Sequence, residues 1–467
     1  MKLPYVIAVT ATRLLGLAMI LILFHLMPGD EFGTFSLINT NAMLVYMALG
    51  AWVIAIANRS LVTDSGVVDQ AMLSAVGIAL LGVVAAVLAV GVAMQLALSL
   101  PGNAILMTVA LAAVLIIYEA TLASKNALGR ANAYAVIAVA RNVLALLLAV
   151  GLVAAGEGVT GAIVGIGAGA LLAIFAQPLG RRLWAGVRYR PGVFAPLKPY
   201  LLFGIGGALQ LGCYILVNAP LRNLIALKFG AAAAGLWSVT TDLYYGPLAL
   251  IANAYALSQV RLIYLAAAQG DEQTLRARCR ALLEFSAVLA ALYVAGSAFF
   301  AVDAVSLVVP SASTVGAEAL AFPSALFGTA IMVLYCIVTV AISNNHVGLV
   351  AIMISSAALV SALPALWSRD VLTMCWQASL GVSVLVLAWS LFTVFRYRLY
   401  IGIGQMARLG CAVVSFVAVA AAGLHLLRFD FAWLASAAAA TAVFLATALL
   451  LRVDGLVHVL PPALRDR

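Results

Sequence analysis

Apolar residues run along this chain in long blocks, broken by short clusters of charge, Pro, Gly and Asn. A helix rises about 1.5 Å per residue, so about 20 apolar residues cross a hydrocarbon core of about 30 Å. By that measure the pattern predicts fourteen membrane-spanning helices. The first covers about 4–27 and closes at Pro28-Gly29-Asp30-Glu31. The second ends near 57, the third covers 71–98, and the fourth ends before Lys125. The fifth covers 131–154, and the sixth ends before Arg181-Arg182. A basic link reaches Pro199 and is followed by spans at 200–227 and 231–258. A second basic link is expected over 261–280, with Gly270-Asp271-Glu272 inside it. The ninth span ends near 303 and the tenth begins near 318. Breaks at Asn344-Asn345-His346, Ser368-Arg369-Asp370, Arg396-Tyr397-Arg398 and Arg428-Phe429-Asp430 delimit the rest. A transmembrane β-barrel would alternate apolar and polar positions over segments of about ten residues, so it is excluded.

Composition agrees. Of 467 residues, 66% are hydrophobic and 9% charged, against about 25% charged in ordinary soluble domains. So few charges could not cover a soluble core of this size. Soluble enzymes, nucleic-acid binders and disordered scaffolds fall away.

The net charge of +9 follows from topology. With the N-terminus in the cytoplasm, nineteen of the 25 Lys and Arg fall in cytoplasmic segments. Lys228, Arg369 and Arg428 fall outside, and Arg13, Arg141 and Arg222 lie within spans. That asymmetry predicts both termini in the cytoplasm. The first apolar run lacks a cleavage site and reads as a retained span. The five cysteines include no CxxC and read as small core residues, and the four histidines are scattered. Neither a metal nor a cofactor is expected.

The chain contains a weak internal repeat. Gly33-Thr34-Phe35-Ser36-Leu37 and Gly235-Leu236-Trp237-Ser238-Val239 are 202 positions apart, as are Arg59 and Arg261. Basic links follow the sixth and twelfth spans. The simplest division is a six-helix lobe over 1–198, a related lobe over 199–400, and two extra helices with a tail over 401–467. Parallel repeats of this kind are a transporter signature.

Arg13 in the first span, the turn Pro28 to Ser36, Arg222 in the seventh span, Ala234-Gly235-Leu236-Trp237 and the Gly270-Asp271 link carry a likeness. On these residues the chain resembles the polysaccharide transporter branch of the multidrug/oligosaccharidyl-lipid/polysaccharide exporter (MOP) superfamily, which includes O-antigen and exopolysaccharide repeat-unit flippases. The resemblance implies an all-α polytopic membrane protein, with two six-helix lobes facing a central cavity and two C-terminal helices. It implies alternating access and a polyprenyl-pyrophosphate-linked oligosaccharide moved from the inner to the outer leaflet. A polysaccharide polymerase and a chain-length regulator would be its partners, within membrane lipids and without nucleic acid. One departure is Leu221, where relatives often carry an acidic residue beside the arginine.

Charges inside spans are expensive and therefore mark function by default. Arg13 and Arg222 are the candidate headgroup ligands, because a guanidinium fork donates two parallel hydrogen bonds to phosphate. Asp242, near the middle of the eighth span, is the candidate for ion coupling or charge balance. Asn41 and Asn218 could hydrogen-bond sugar hydroxyls, or neighbouring helices. Trp237, Tyr244 and Tyr245 could stack on sugars or sit in interfacial belts. Glu119 and Arg141, in consecutive spans, are expected to form a structural pair. Gly161, Gly165 and Gly169 read as close helix packing.

Three other functions compete. A multidrug exporter would favour acidic residues in its cavity. A peptidoglycan-precursor flippase shares the fourteen-span plan but typically places more arginines in its cavity. A membrane-bound polymerase or ligase would carry a large outer loop, and all outer loops here are short. No nucleotide-binding motif is present, so transport would draw on a gradient.

Overall fold

The computed structural model describes residues 3–61, 68–98, 103–175, 187–309, 314–399, 403–426 and 432–451. They form helices α1 (Leu3–Leu26), α2 (Gly29–Val45), α3 (Ala51–Ser60), α4 (Gln70–Leu98), α5 (Ala104–Ala127), α6 (Ala131–Leu152), α7 (Gly158–Phe175) and α8 (Leu201–Phe229). Then follow α9 (Ala231–Gln269), α10 (Glu272–Val308), α11 (Thr314–Ser343), α12 (Val347–Ala362), α13 (Val371–Arg396), α14 (Ile403–Leu426) and α15 (Ala432–Leu450). A π-helical turn, Tyr46–Gly50, joins α2 to α3 in one rod. The described residues thus contain fourteen rods, as the hydropathy pattern predicts. The chain is a multi-pass, all-helical membrane protein.

Ala131–Phe175 is apolar over 45 residues, roughly 68 Å at helical rise and too long for one crossing. Positive φ values at Gly156 (94°) and Gly158 (46°) fold it back on itself. Side chains larger than hydrogen rarely adopt that region. The resulting hairpin packs backbone to backbone, because a Cβ on Gly165 would lie 2.5 Å from Ala149 Cα, and one on Gly169 2.5 Å from Ala145 N. The glycine spacing is therefore a packing seam. Gly165→Val is expected to destabilise the protein by about 1–3 kcal/mol through overpacking. Gly167→Ala, with nothing within 4 Å of its added Cβ, is expected to stabilise by about 0.5–1 kcal/mol. Paired denaturation curves in detergent check both.

The second basic link is not a loop. Helix α9 runs to Gln269 and α10 begins at Glu272, so only Gly270 and Asp271 separate them. Residue 261 lies in α9, and Arg276, Arg278 and Arg280 lie on α10. At 39 and 37 residues, these helices are about 58 and 55 Å long and outrun the bilayer core. Hydropathy marks where apolar residues stop, whereas the hydrogen-bonded helix continues into water.

The chain forms two compact units. One is Met1–Val239 with Val350–Ala358, and the other is Thr240–Leu349 with Leu359–Arg467. In the first, Ala8, Tyr118, Leu122, Ile137, Ala170 and Ile174 form a core that joins α1, α5, α6 and α7. Helix α8 packs along α2 and α3. The starts of α2 and α9 also meet. A Cβ on Gly33 would overlap the Ala231 carbonyl, and one on Gly235 would lie 2.8 Å from Gly33 Cα. Thus the two glycines that the 202-residue offset aligns touch each other. In the second unit, Val288 and Phe300 of α10 pack with Phe416 of α14 and Phe444 of α15, which holds the two extra helices in place.

Candidate functional site

The polar residues of the first unit fall into two groups. One lies on α1, α5 and α6. Arg13 is the eleventh residue of α1, about 15 Å along it, and its side chain is exposed. Among the described residues it makes no hydrogen bond or ion pair. Glu119 and Arg141 are half-buried on neighbouring helices. The Glu119 carboxylate interacts electrostatically with Arg141 first and Arg13 second. Arg141 lies over the Tyr118 ring at 5.2 Å and donates to Asn142 Oδ1 at 3.3 Å. The expected Glu119–Arg141 contact does not close, since no oxygen-to-nitrogen distance within 4.0 Å joins them. Helix spacing brought the two charges to the same region, but side-chain placement left a gap between them. Glu119 thus interacts at a distance with two guanidinium groups, which leaves a surplus of positive charge around it.

The second group lies on α2, α8 and the start of α9. Gln210, Tyr214, Asn218 and Arg222 recur every four residues, which stacks them on one face of α8. Arg222 is buried, at 4% exposure. It donates to Thr40 Oγ1 at 2.8 Å and to the Tyr214 hydroxyl at 2.9 Å. Asn41 and Asn223 exchange side-chain hydrogen bonds of 3.1 and 2.8 Å. Trp237 donates its indole N–H to Asn218 Oδ1 at 3.2 Å. Asn218 is fully buried, and its amide nitrogen has no hydrogen-bond partner among the described residues. Trp237 is fully buried too, so in this conformation it neither stacks on a sugar nor sits in an interfacial belt. This group fastens α2 to α8 through polar contacts across an apolar seam, as polar residues do between membrane helices. Tyr214 went unnoticed in the sequence, although the four-residue spacing with Asn218 and Arg222 is its signal.

Asp242 lies half-buried on α9 in the second unit. Around it, Thr240 accepts from Ser324 Oγ at 2.9 Å. The Tyr244 hydroxyl donates to the Ala301 carbonyl, and the Tyr293 hydroxyl to the Tyr244 carbonyl. That stretch is thereby fixed to α10 and α11.

No protein-family model matches the chain, and no curated protein matches it by sequence. Solved structures do match it. The structure titled lipid II flippase MurJ, inward closed conformation, superposes with a TM-score of 0.74 at 12% identity, over 96% of this chain and 98% of that one. The chain shares the fold of that structure. Two structures titled as multidrug resistance MATE family transporters of the MOP superfamily also match. The inward-facing one gives a TM-score of 0.60 at 14% identity, over 83% of this chain and 94% of that one. The outward-facing one gives 0.58 at 16%, over 85% and 95%. The flippase likeness leaves about 19 residues of this chain uncovered. Helices α14 and α15 together hold more than that, so the likeness extends into at least one of the two extra helices. The MATE likeness of 83% leaves about 79 residues aside. Identities this low establish the fold and leave function to the site.

Proposed function

We propose that this chain is an alternating-access flippase for a polyprenyl-pyrophosphate-linked oligosaccharide repeat unit. It moves the unit from the inner to the outer leaflet of the bacterial cytoplasmic membrane, with both termini in the cytoplasm. The observation that carries this reading is Arg13, an open guanidinium part-way along a membrane-crossing helix. Such a charge is tolerated only where the site is wet or a counter-ion visits, and pyrophosphate is a counter-ion of the right shape for its fork. Arg141 adds a second positive group, and Glu119 offsets part of their charge at a distance when no substrate is present. Arg222 joins the headgroup by exchanging Thr40 and Tyr214 for phosphate oxygens. Asn41 and Asn218 supply donors for sugar hydroxyls, and Asp242 balances charge or carries the coupling ion. The repeat supports two lobes, 1–198 and 199–400, with 401–467 added for the lipid tail. A polymerase and a chain-length regulator would take the product onward.

A second reading, transport of a peptidoglycan precursor, is favoured by the likeness to a structure titled lipid II flippase. A strain lacking the gene separates the two. The proposal expects loss of surface polysaccharide, with complete lipid-linked repeat units trapped in the inner leaflet. Trapped lipid II would establish the second reading instead. Intact polysaccharide with new sensitivity to cationic drugs would point to an exporter.

A further inference from the structure

Within the second unit, three turns converge on one cavity of about 420 Å³. They are the α9–α10 turn at Gly270, the α11–α12 turn at Asn345, and the turn after α13 at Arg398. By the count of spans, all three lie on the cytoplasmic side, at the level where headgroups meet water. The cavity is lined by Arg276, Arg396 and Arg398, with Glu272 as the one carboxylate among its lining residues. Glu272 is already engaged with Arg276 at 2.6 Å. Next to it, Asp271 caps α10, accepting from Thr274 N at 3.0 Å. Arg396 and Arg398 are exposed, and among the described residues neither has an ion-pair partner.

The walls are preformed. Tyr397 meets His346 Nδ1 through its hydroxyl at 2.8 Å, tying one turn to another. Leu399 N donates to Val394 O at 2.9 Å, and His346 N to Ala341 O at 3.0 Å. Asn345 (φ 61°) and Arg398 (φ 55°) are the two non-glycine residues with positive φ among the described residues. Both line this cavity. The left-handed region is unfavourable for an arginine in particular, and such outliers persist where surrounding structure holds them for a purpose. Here the conformation presents the Arg398 side chain beside Arg396 at the rim of the cavity.

We propose that this cavity is a binding site for a phosphate-ester group on the cytoplasmic face of the second unit, separate from the Arg13 site. Two unpaired guanidinium groups, with a third held by Glu272, match the planar, multidentate recognition of phosphate oxygens. The size suits a headgroup-sized ligand. The cytoplasmic leaflet, rich in anionic lipid, supplies such groups at high local concentration. The apolar floor, from Leu275, Cys279 and Leu399, suits the glycerol end of a phospholipid. The same phosphate chemistry could come from a soluble ester or from inorganic phosphate.

Native mass spectrometry of the full-length protein in detergent tests this, with dioctanoyl phosphatidylglycerol, dioctanoyl phosphatidylcholine and inorganic phosphate as probes. The informative variant is Arg398→Gly, because glycine accepts the positive φ and only the side chain is lost. Arg396→Gln is the second variant, and unfolding curves accompany both. The expected result is one phosphatidylglycerol bound in preference to phosphatidylcholine, at least about tenfold more weakly in each variant, with unfolding midpoints at or above the original for Arg398→Gly. Phosphate binding that is lost in Arg398→Gly, without retention of phosphatidylglycerol, would support the site and assign it a soluble ligand. Equal binding by the original protein and Arg398→Gly, or no binding of either anion, would overturn the proposal.

Discussion

Arg13→Ala is expected to abolish transport while the protein still inserts and accumulates. Among the described residues, Arg13 forms no hydrogen bond or ion pair, and its side chain is exposed. Its removal therefore leaves no buried partner unsatisfied, and the stability cost should stay within about 0.5 kcal/mol. On the substrate side the loss is large. A hydrogen bond to a charged group contributes about 1.5–3 kcal/mol, so losing a bidentate pair slows transport by about two orders of magnitude or more. Arg13→Lys keeps the charge but not the fork, and should recover transport only in part. Leaflet-resolved flipping of a lipid-linked oligosaccharide by purified protein in vesicles measures both. Full activity of Arg13→Ala would remove Arg13 from the site. The same experiment on Arg222→Ala would be uninformative by itself. Arg222 is buried and donates to both Thr40 and Tyr214, so its removal would cost stability as well as any contact with substrate.

A disulfide between Gly29→Cys and Ala232→Cys is expected to arrest transport completely and reversibly. A Cβ built on Gly29 lies 3.8 Å from Ala232 Cβ, at the centre of the disulfide range of about 3.5–4.5 Å. The contact lies where the starts of α2 and α9 meet through Gly33, Ala231 and Gly235. In the proposed orientation, with the N-terminus in the cytoplasm, this is the outer side of the membrane. Alternating access requires some outer contact to open, and a covalent bond here would hold this one shut. Cys411, the one exposed native cysteine, would first be replaced by serine. Oxidant should then stop flipping in the double variant, reductant should restore it, and either single variant should ignore both. Unchanged transport at full cross-linking would show that these helix starts do not separate during the cycle.

The fourteen rods, their approximate boundaries and the glycine seam of α6 and α7 were all legible in the sequence. Each depends on residues close together in the chain. Crossing a membrane is a sum of transfer energies over about 20 consecutive residues, and glycines four apart share one helix face. Boundaries failed where helix and bilayer end at different places, as at Arg276, Arg278 and Arg280. Spacing brought Glu119 and Arg141 together, but it could not show that the pair stays open. Nor could it show that Trp237 turns inward to Asn218.

Sequence alone therefore determined that this is a polytopic helical membrane protein, where its spans lie and which charges it carries across the bilayer. Only the tertiary structure decided what those charges meet. Arg222 donates to Thr40, and Asn223 to Asn41, each across 182 positions of chain, while Arg13 is left exposed. A side chain's partners are set by which helix faces converge. In an almost uniformly apolar chain those faces differ by a few polar residues, too few for periodicity to reveal which way each helix turns.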